Sequence, residues 1–320
     1  MPNSRAWALC VIFVLALASC NRGGRKRIAV VPKGTSSIFW LAVEAGAMAA
    51  GDQYKVDILW NGPPMETEYD RQIQIVDSYI AQRVDGLAVA AGDRKALDHS
   101  INQAAALGIP VTVFDSGVDT TNYMTFIATD NYAAGKMAGE EMGHLLNGKG
   151  TVALVMHAPG SQSTMARESG FEDALKAGFP KIQVIARQYG LSDRAKAMAS
   201  AENILTAHPD LSGIFASSEP SSTGTALAIK SRGLAGKVKF VAFDSSDSMI
   251  EDMKAGVINA MVVQDPFHMG FEVVKSLVDK LHGITPPKRI NLNARVIHKA
   301  DLDNPEVQKL LNPDVKKYLK

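Results

Sequence analysis

The sequence predicts an α/β fold of two similar lobes, each a parallel sheet flanked by helices, with a ligand cleft between the lobes at the carboxyl ends of the strands. Two observations predict the lobes. Short runs rich in β-branched residues alternate with longer helical patterns along most of the chain, as is typical of parallel sheets covered by helices. The chain also has 320 residues, of which 46% are hydrophobic, so it is longer than one hydrophobic core usually serves.

The chain begins with the features of an export signal. Arg5 precedes an apolar run over 6–18 that is too short to span a bilayer. Leu17-Ala18-Ser19-Cys20 ends this run and resembles the lipobox of bacterial lipoproteins, in which the cysteine becomes the lipidated first residue of the mature chain. The alternatives are an ordinary signal peptide and a buried amino-terminal helix, and the basic residues over 22–27 argue against burial. We expect a signal peptide over 1–19, then lipidated Cys20 and a tether to residue 26, which anchor the protein to a membrane outside the cytoplasm, in the periplasm or at the cell surface.

The first half of the chain contains five strand candidates with helical patterns between them. The third helical pattern is stopped by Gly108 and Pro110. The predicted strands are 27–31, 56–60, 86–90, 111–115 and 125–128, and the predicted helices are 38–50, 67–82 and 95–107.

The second half repeats this alternation. The helical pattern over 131–146 and the turn Asn147-Gly148-Lys149-Gly150 precede it, and no Pro-rich or low-complexity linker separates the halves. We therefore expect structured crossings between the lobes. The predicted strands are 151–156, 183–186, 213–216, 239–243 and 259–263, and the predicted helices are 164–177, 193–207, 222–232, 247–254 and 267–282.

Composition and missing motifs exclude several classes of function. The 34 Lys plus Arg nearly balance the 33 Asp plus Glu, so no nucleic-acid surface is indicated. The two cysteines, Cys10 and Cys20, fall in the leader and at the lipobox, which leaves no disulfide framework and no free thiol for catalysis. No phosphate-binding glycine loop, metalloprotease motif or nucleophile elbow occurs, and the scattered histidines are interpreted as structural or surface residues. No cofactor and no metal are expected.

Polar residues follow several of the predicted strands. They include Lys33, Asp115-Ser116, Ser217-Ser218 and Asp244-Ser245. In open parallel sheets, ligands bind at the carboxyl ends of the strands. Two such edges that face each other would form a cleft between the lobes.

The aspartates and aromatic residues near these strand ends allow more than one interpretation. Asp115 and Asp244 could act as an acid/base pair in glycoside hydrolysis, cap the turns that follow them, or accept hydrogen bonds from ligand hydroxyls. Phe39-Trp40, at the start of the first helix, could pack in the core or stack on a sugar. A site that binds a saccharide requires aromatic rings that stack on the sugar, together with ionised groups that donate or accept two hydrogen bonds each.

A set of segments in order along the chain resembles the sugar-binding proteins of bacterial ABC transporters. The resemblance is to the branch that includes ribose- and galactose-binding proteins, with the type I periplasmic-binding-protein fold that is also found in the ligand domain of lactose-repressor-type regulators. The segments cover nearly the whole mature chain and are 28–31, 39–40, 84–87, 108–111, 114–115, 127–131, 166–168, 170–171, 205–210, 241–244 and Gln264.

The resemblance implies roles for individual residues. Phe39 and Trp40 would stack on the sugar, Asp115 and Asp244 would accept from its hydroxyls, Arg167 would donate as a planar fork, and Gln264 would lie near the hinge. It also implies an N-terminal lobe of 27–129 plus about 265–292 and a C-terminal lobe of 130–264 plus about 293–320.

Several positions depart from the ribose-binding pattern and are also predicted to contact the ligand. Ser37 and Ser218 stand where long amides are typical, Ser116 replaces an arginine, Ser192 replaces an aromatic ring, and Lys33 brings a cation where a small residue is common. These changes argue against ribose itself. Lys33 could instead pair with Glu66 or Glu68.

The sequence therefore predicts a monomeric, lipid-anchored solute-binding protein. It would close on a monosaccharide or related polyol and deliver it to an ABC transporter permease. A sugar-sensing receptor for a signalling partner and a secreted glycosidase are the alternatives. A transcription regulator is rejected because the export signal occupies the place of a DNA-binding domain.

Overall fold

The computed structural model describes residues 24–319, and the predicted leader and Cys20 lie outside this range. The first lobe is built on a six-stranded parallel sheet in the order β11-β5-β4-β3-β1-β2. Its strands are β1 (Arg27–Val31), β2 (Asp57–Trp60), β3 (Gly86–Val89), β4 (Val111–Phe114), β5 (Thr125–Thr129) and β11 (Arg289–Leu292).

The second lobe is built on another six-stranded sheet, in the order β12-β10-β9-β8-β6-β7. Its strands are parallel except for the edge strand β12, which pairs antiparallel with β10. They are β6 (Lys149–Met156), β7 (Lys181–Tyr189), β8 (Gly213–Ala216), β9 (Lys239–Phe243), β10 (Ala260–Val263) and β12 (Arg295–Ile297).

Helices cover both sheets. The first lobe has α1 (Ile38–Tyr54), α2 (Tyr69–Ala81), α3 (Asp98–Ala106) and α9 (Pro266–Leu281). The second has α4 (Asn131–Leu145), α5 (Gln162–Gly178), α6 (Arg194–Ala207), α7 (Glu219–Ser231), α8 (Asp247–Lys254) and α10 (Pro305–Leu311). None of the helices among residues 24–319 is long and apolar enough to cross a membrane.

Each lobe has its own core because both faces of each sheet are buried. The short strands are fully buried runs such as Gly86–Val89 and Gly213–Ala216, as expected when helices pack on both sides. Separate apolar clusters lie on the two faces of each sheet. The two-lobed α/β fold predicted from the sequence is confirmed.

The chain passes between the lobes four times. Three of the crossings lie between β5 and α4, between β10 and α9, and between β11 and β12. In the fourth, after α10, the chain returns to the first lobe, where the 3₁₀ turn Val315–Lys317 contacts α1. The crossings are short and ordered, so the lobes are connected by structured backbone.

Each predicted strand and helix is present, with ends that differ by a few residues. The strands β11 and β12 and the helix α10 are not among the predicted elements. RINL alternates polar and apolar residues over only four positions, and RVI has only three residues, so neither segment is long enough to predict a strand. Pairing with β5 and β10, which are distant in sequence, fixes them as strands.

Glycines allow one pair of helices in each lobe to cross closely. In the second lobe, a Cβ at Gly135 of α4 would collide with the carbonyl oxygen of Arg167, and one at Gly170 of α5 would collide with that of Tyr132. Gly46 and Gly270 have the same role between α1 and α9 in the first lobe. The backbones touch at these points, so the position of Arg167 depends on this packing.

We expect Gly170→Ala to lower the free energy of unfolding by about 1–3 kcal/mol, since an overpacked contact forces the backbone to shift. Gly178→Ala, at the end of the same helix, is the matched control because a Cβ there meets no atom within 4 Å. Denaturant unfolding of both variants measures the difference. Equal stability of the two would contradict the close helix crossing.

Candidate functional site

Polar side chains from the carboxyl ends of both sheets meet in one cavity between the lobes. It includes nine of the eleven predicted ligand-binding residues, namely Lys33, Ser37, Phe39, Trp40, Asp115, Arg167, Ser218, Asp244 and Gln264. Asp115 directly follows β4, Asp244 follows β9 and Gln264 follows β10. The cavity thus lies where ligands bind in open parallel sheets.

The two aspartates adopt the same uncommon backbone conformation. Asp115 has φ 55° and Asp244 has φ 68°, in the left-handed region, which aspartate enters more readily than most residues. Each ends a buried strand, and each lines the cavity. Strained residues of this kind concentrate at functional sites.

Every carboxylate that lines the cavity has a basic partner among the described residues. Lys33 Nζ lies 2.8 Å from Asp115 Oδ2, and His157 Nε2 lies 3.0 Å from Glu66 Oε2. Arg194 Nη2 lies 2.8 Å from Glu219 Oε1, and Arg167 Nη1 lies 4.0 Å from Asp244 Oδ2. Three of the four carboxylates therefore lie beside a lysine or an arginine, which offsets much of the negative charge of the cavity wall.

Arg167 is held by contacts on several sides. It is 3% exposed, its Nε donates to Asn131 Oδ1 at 2.8 Å, and its Nη1 donates to the Ser217 carbonyl at 3.0 Å. The guanidinium also lies over the Phe243 ring, 3.9 Å from its centroid. A planar donor fixed in this way is suited to donate to ligand oxygens with little loss of side-chain entropy.

Asp244 is a buried acceptor. Its Oδ1 accepts from Gln264 Nε2 at 2.7 Å, and its Oδ2 accepts from the Glu219 backbone N–H at 3.0 Å. Burial raises the pKa of Asp244 despite the nearby Arg167, and the charges of Asp115 and Glu219 raise it further. In the ligand-free protein, the ionised carboxylate of Asp244 therefore lowers the free energy of unfolding.

Lys33 pairs with Asp115 and not with either glutamate that the sequence analysis suggested. Its ammonium group also donates to Ser163 Oγ at 2.9 Å and Ser161 Oγ at 3.3 Å, at the start of α5 in the other lobe. Lys33 Nζ and Asp115 Oδ2 form an ion pair, but their relative orientation is not that of a hydrogen bond. No described residue donates a hydrogen bond to Asp115 Oδ2.

The aromatic pair has two different environments. Trp40 is 2% exposed, donates through Nε1 to Glu66 Oε1 at 2.9 Å, and packs edge-to-face on Phe39 and Phe114. Phe39 is half-buried. Ser37 caps α1 by accepting from the Phe39 backbone N–H, and this cap fixes the aromatic pair at the start of the helix.

Five further residues line the cavity without having been predicted as ligand contacts: Glu66, His157, Thr164, Glu219 and Pro220. Glu66 and His157 form one of the buried contacts between the lobes, and His157 Nδ1 lies 2.9 Å from Ser218 Oγ. Burial alone would raise the pKa of Glu66, but His157, Lys33 and the Trp40 hydrogen bond lower it to about 2. Of these five residues, the sequence pointed only to Glu66, as a possible ion-pair partner of Lys33.

Ser116 and Ser192 lie outside the cavity wall. Ser116 is fully buried, and its hydroxyl accepts from the Ser163 backbone N–H at 3.2 Å, which again links the two lobes. Ser192, with φ 57°, lines a separate groove beside Arg194.

The two lobes are closed on each other. Ser37 Oγ donates to Glu219 Oε2 at 3.0 Å, and the Arg94 backbone N–H donates to the Gly160 carbonyl at 3.0 Å. The cavity between the lobes measures about 20 Å³, and a single water needs roughly 10–15 Å³. A larger ligand must therefore enter an open form or displace these internal contacts.

Side chains that can donate and accept hydrogen bonds line the site, and no group of three or more potential metal ligands occurs within the part of the chain that the structure describes.

The chain is similar to known binding proteins over most of its length. Residues 28–285 match the family described as periplasmic binding protein domain. The D-ribose/D-allose-binding protein of Pseudomonas aeruginosa is 28% identical over 82% of this chain and 84% of its own. The ribose import binding protein of Bacillus subtilis is 29% identical over 71% and 72% of the two chains.

Two solved structures extend the similarity to the fold. An ABC transporter solute-binding protein from Agrobacterium vitis with bound D-fucose has a TM-score of 0.87 and 33% identity, covering 89% of this chain and 100% of that one. A carbohydrate transporter solute-binding protein from Agrobacterium radiobacter, in complex with D-arabinose, has a TM-score of 0.88 and 29% identity, covering 90% and 99%.

Proposed function

The chain belongs to the periplasmic binding protein domain family, and from this premise we propose that it is the sugar-binding component of an ABC transporter. It works outside the cytoplasm as a monomer. It captures a monosaccharide-like ligand between its lobes, closes around it by a hinge motion and delivers it to a membrane permease.

The observation that best supports this function is the set of four acid–base pairs around the cavity. In three of the pairs both members line the cavity, so a base that donates hydrogen bonds lies beside a carboxylate that accepts them, which matches the hydroxyl groups of a sugar. Because a lysine or an arginine offsets three of the four carboxylates, we expect a neutral ligand. The similar proteins named for ribose and allose, and those with bound D-fucose and D-arabinose, support the same class.

In this proposal, the residues that line the cavity divide the recognition between the lobes. Asp115 and Lys33 act from the first lobe, and Arg167, Ser218 and Asp244 act from the second. Gln264 lies at a crossing between the lobes, and the half-buried Phe39 supplies the ring against which an apolar sugar face packs. Charged hydrogen bonds contribute about 1.5–3 kcal/mol each, so a few of them suffice for micromolar binding, at about −8 kcal/mol.

A thermal-shift screen against pentoses, hexoses, deoxysugars, polyols, amino sugars and sugar acids tests this function. We expect at least one neutral sugar to raise the melting temperature, because a ligand that binds only the folded state stabilises it. Stabilisation by sugar acids or amino sugars alone would contradict the proposed neutral ligand. A flat response to every compound would contradict the function.

We further propose that the bound sugar is released unchanged. The family and the relatives consist of binding proteins, and each cavity carboxylate has a basic partner. Chromatography of a stabilising sugar and its glycosides, after prolonged incubation with the protein, checks this expectation. Hydrolysis that depends on the protein would support a glycosidase instead.

The lipid anchor is a separate proposal, which rests on the sequence Leu17-Ala18-Ser19-Cys20. We expect Cys20→Ala to move the protein from the membrane fraction to the soluble fraction, with no change in sugar affinity. Fractionation of cells that express the variant measures the change, and Cys10→Ala is the matched control because Cys10 lies within the expected leader. Retention of the Cys20 variant at the membrane would argue against the anchor.

A further inference from the structure

A second cavity lies on the hinge side of the sugar site. It measures about 180 Å³ and is formed by the start of α1, the loop from β9 to the start of α8, the crossing from β10 to α9 and the C-terminal segment over 310–315. Phe39, Asp244 and Gln264 line both this side cavity and the cavity between the lobes. The two spaces are therefore neighbours that share a wall.

The loop from β9 to the start of α8 contributes the polar residues Asp244, Ser245 and Asp247, and apolar side chains from the other three elements line much of the side cavity. They are Ile38, Ala42, Val263, Leu310, Leu311 and Pro313. An apolar cavity of about 150 Å³ is large enough to hold a benzene ring. The space and its lining thus fit a flat apolar group about as large as a phenyl ring.

The shared wall also has an unused acceptor. Gln264 is 1% exposed, and its Nε2 donates to Asp244, but no described residue donates to its Oε1. A buried acceptor without a partner costs roughly 1–3 kcal/mol. A ligand hydroxyl at the junction of the two cavities would satisfy it.

We propose that the side cavity is a subsite for an apolar substituent of the ligand, so that the protein takes aryl or alkyl glycosides whose sugar ring lies between the lobes. This inference rests on the proposed function, because the sugar ring occupies the site described above. Only about 20 Å³ is free between the closed lobes, against about 180 Å³ in the side cavity. The side cavity can receive a substituent without further opening of the lobes.

Calorimetric titration with paired glycosides tests the subsite. The probes are the methyl and phenyl glycosides of D-galactose, D-glucose, D-fucose and D-arabinose, in both anomers, with the free sugars alongside. For at least one pair, we expect the phenyl glycoside to bind about tenfold more tightly or better, as burial of an aromatic ring provides. Phenyl glycosides that all bind no better than their methyl partners would overturn the proposal.

Two variants on the exposed side of α1 locate the phenyl group. Ile38 is 44% exposed and lines the side cavity, whereas Leu41 is 41% exposed and lines neither of the two cavities. We expect Ile38→Trp to remove the preference for the phenyl glycoside and to leave the affinity for the free sugar unchanged, while Leu41→Trp changes neither. A phenyl preference that persists in Ile38→Trp would place the ring elsewhere and overturn the subsite.

The free sugars keep the two proposals distinguishable. If a neutral free sugar binds but its phenyl glycoside gains nothing, the subsite fails and the sugar-binding function stands. If neither free sugars nor glycosides bind, both fail.

Discussion

Replacement of Arg167 by methionine is expected to abolish sugar-dependent thermal stabilisation and to lower the melting temperature of the ligand-free protein. Methionine keeps only the unbranched stem of the side chain, so the variant loses the donors to Asn131 and Ser217 and the charge beside Asp244. We expect affinity to fall about a hundredfold or more, as the loss of two charged hydrogen bonds implies. Leaving a buried carboxylate without its partner costs up to about 3–5 kcal/mol.

The control for this prediction is Arg187→Met. Arg187 lies in the same lobe and pairs with Glu172 through two hydrogen bonds, at 2.6 and 2.7 Å, but it is largely exposed. Calorimetry with a stabilising sugar and thermal unfolding without it measure both effects. If the Arg167 variant binds the sugar as tightly as the control does, Arg167 is not part of the site.

Asp244→Asn is expected to abolish sugar binding as well, but to raise the melting temperature of the ligand-free protein at neutral pH. Because the pKa of Asp244 is raised in the folded state, its ionised form destabilises that state. The new amide can keep the hydrogen bond from the Glu219 backbone N–H. Rotation of the Gln264 amide would then place its unpartnered Oε1 towards the new N–H donors.

The stability difference between this variant and the unmodified protein should depend on pH in one direction. The cost of the carboxylate is present above its folded-state pKa, and it disappears as the pH falls through that value towards the ordinary 3.8. The gap in melting temperature should therefore close on acidification. Asp210→Asn, at an exposed position, should show no comparable gap. A variant that is less stable than the unmodified protein at every pH would contradict this account of Asp244.

Most of the fold could be predicted because its elements have strong local patterns. Arg27–Val31, Gly213–Ala216 and Lys239–Phe243 are apolar strands with the predicted ends. By contrast, β12 has only three residues and is a strand because β10 lies beside it. The helix predicted over 222–232 also begins too late, since α7 starts at Glu219 and Pro220 suits its first turn.

The candidate site could be predicted less completely. Asp115, Asp244 and Gln264 follow strands, so topology alone brings them to one edge of the sheets. Glu66 and His157 belong to different lobes, and their 3.0 Å contact depends on how the lobes close. No spacing along the chain encodes such a contact. The burial of Trp40 and the engagement of Ser116 with Ser163 likewise follow from packing across the structure.

The central claim is that this chain binds one neutral sugar between its lobes and releases it unchanged. The measurement that tests it most directly is calorimetric titration with the sugar that gives the largest thermal shift, followed by chromatography of the recovered ligand. We predict saturable, equimolar binding with a micromolar dissociation constant and recovery of the intact sugar. The absence of saturable heat with every neutral sugar, or recovery of a chemically altered one, would contradict the claim.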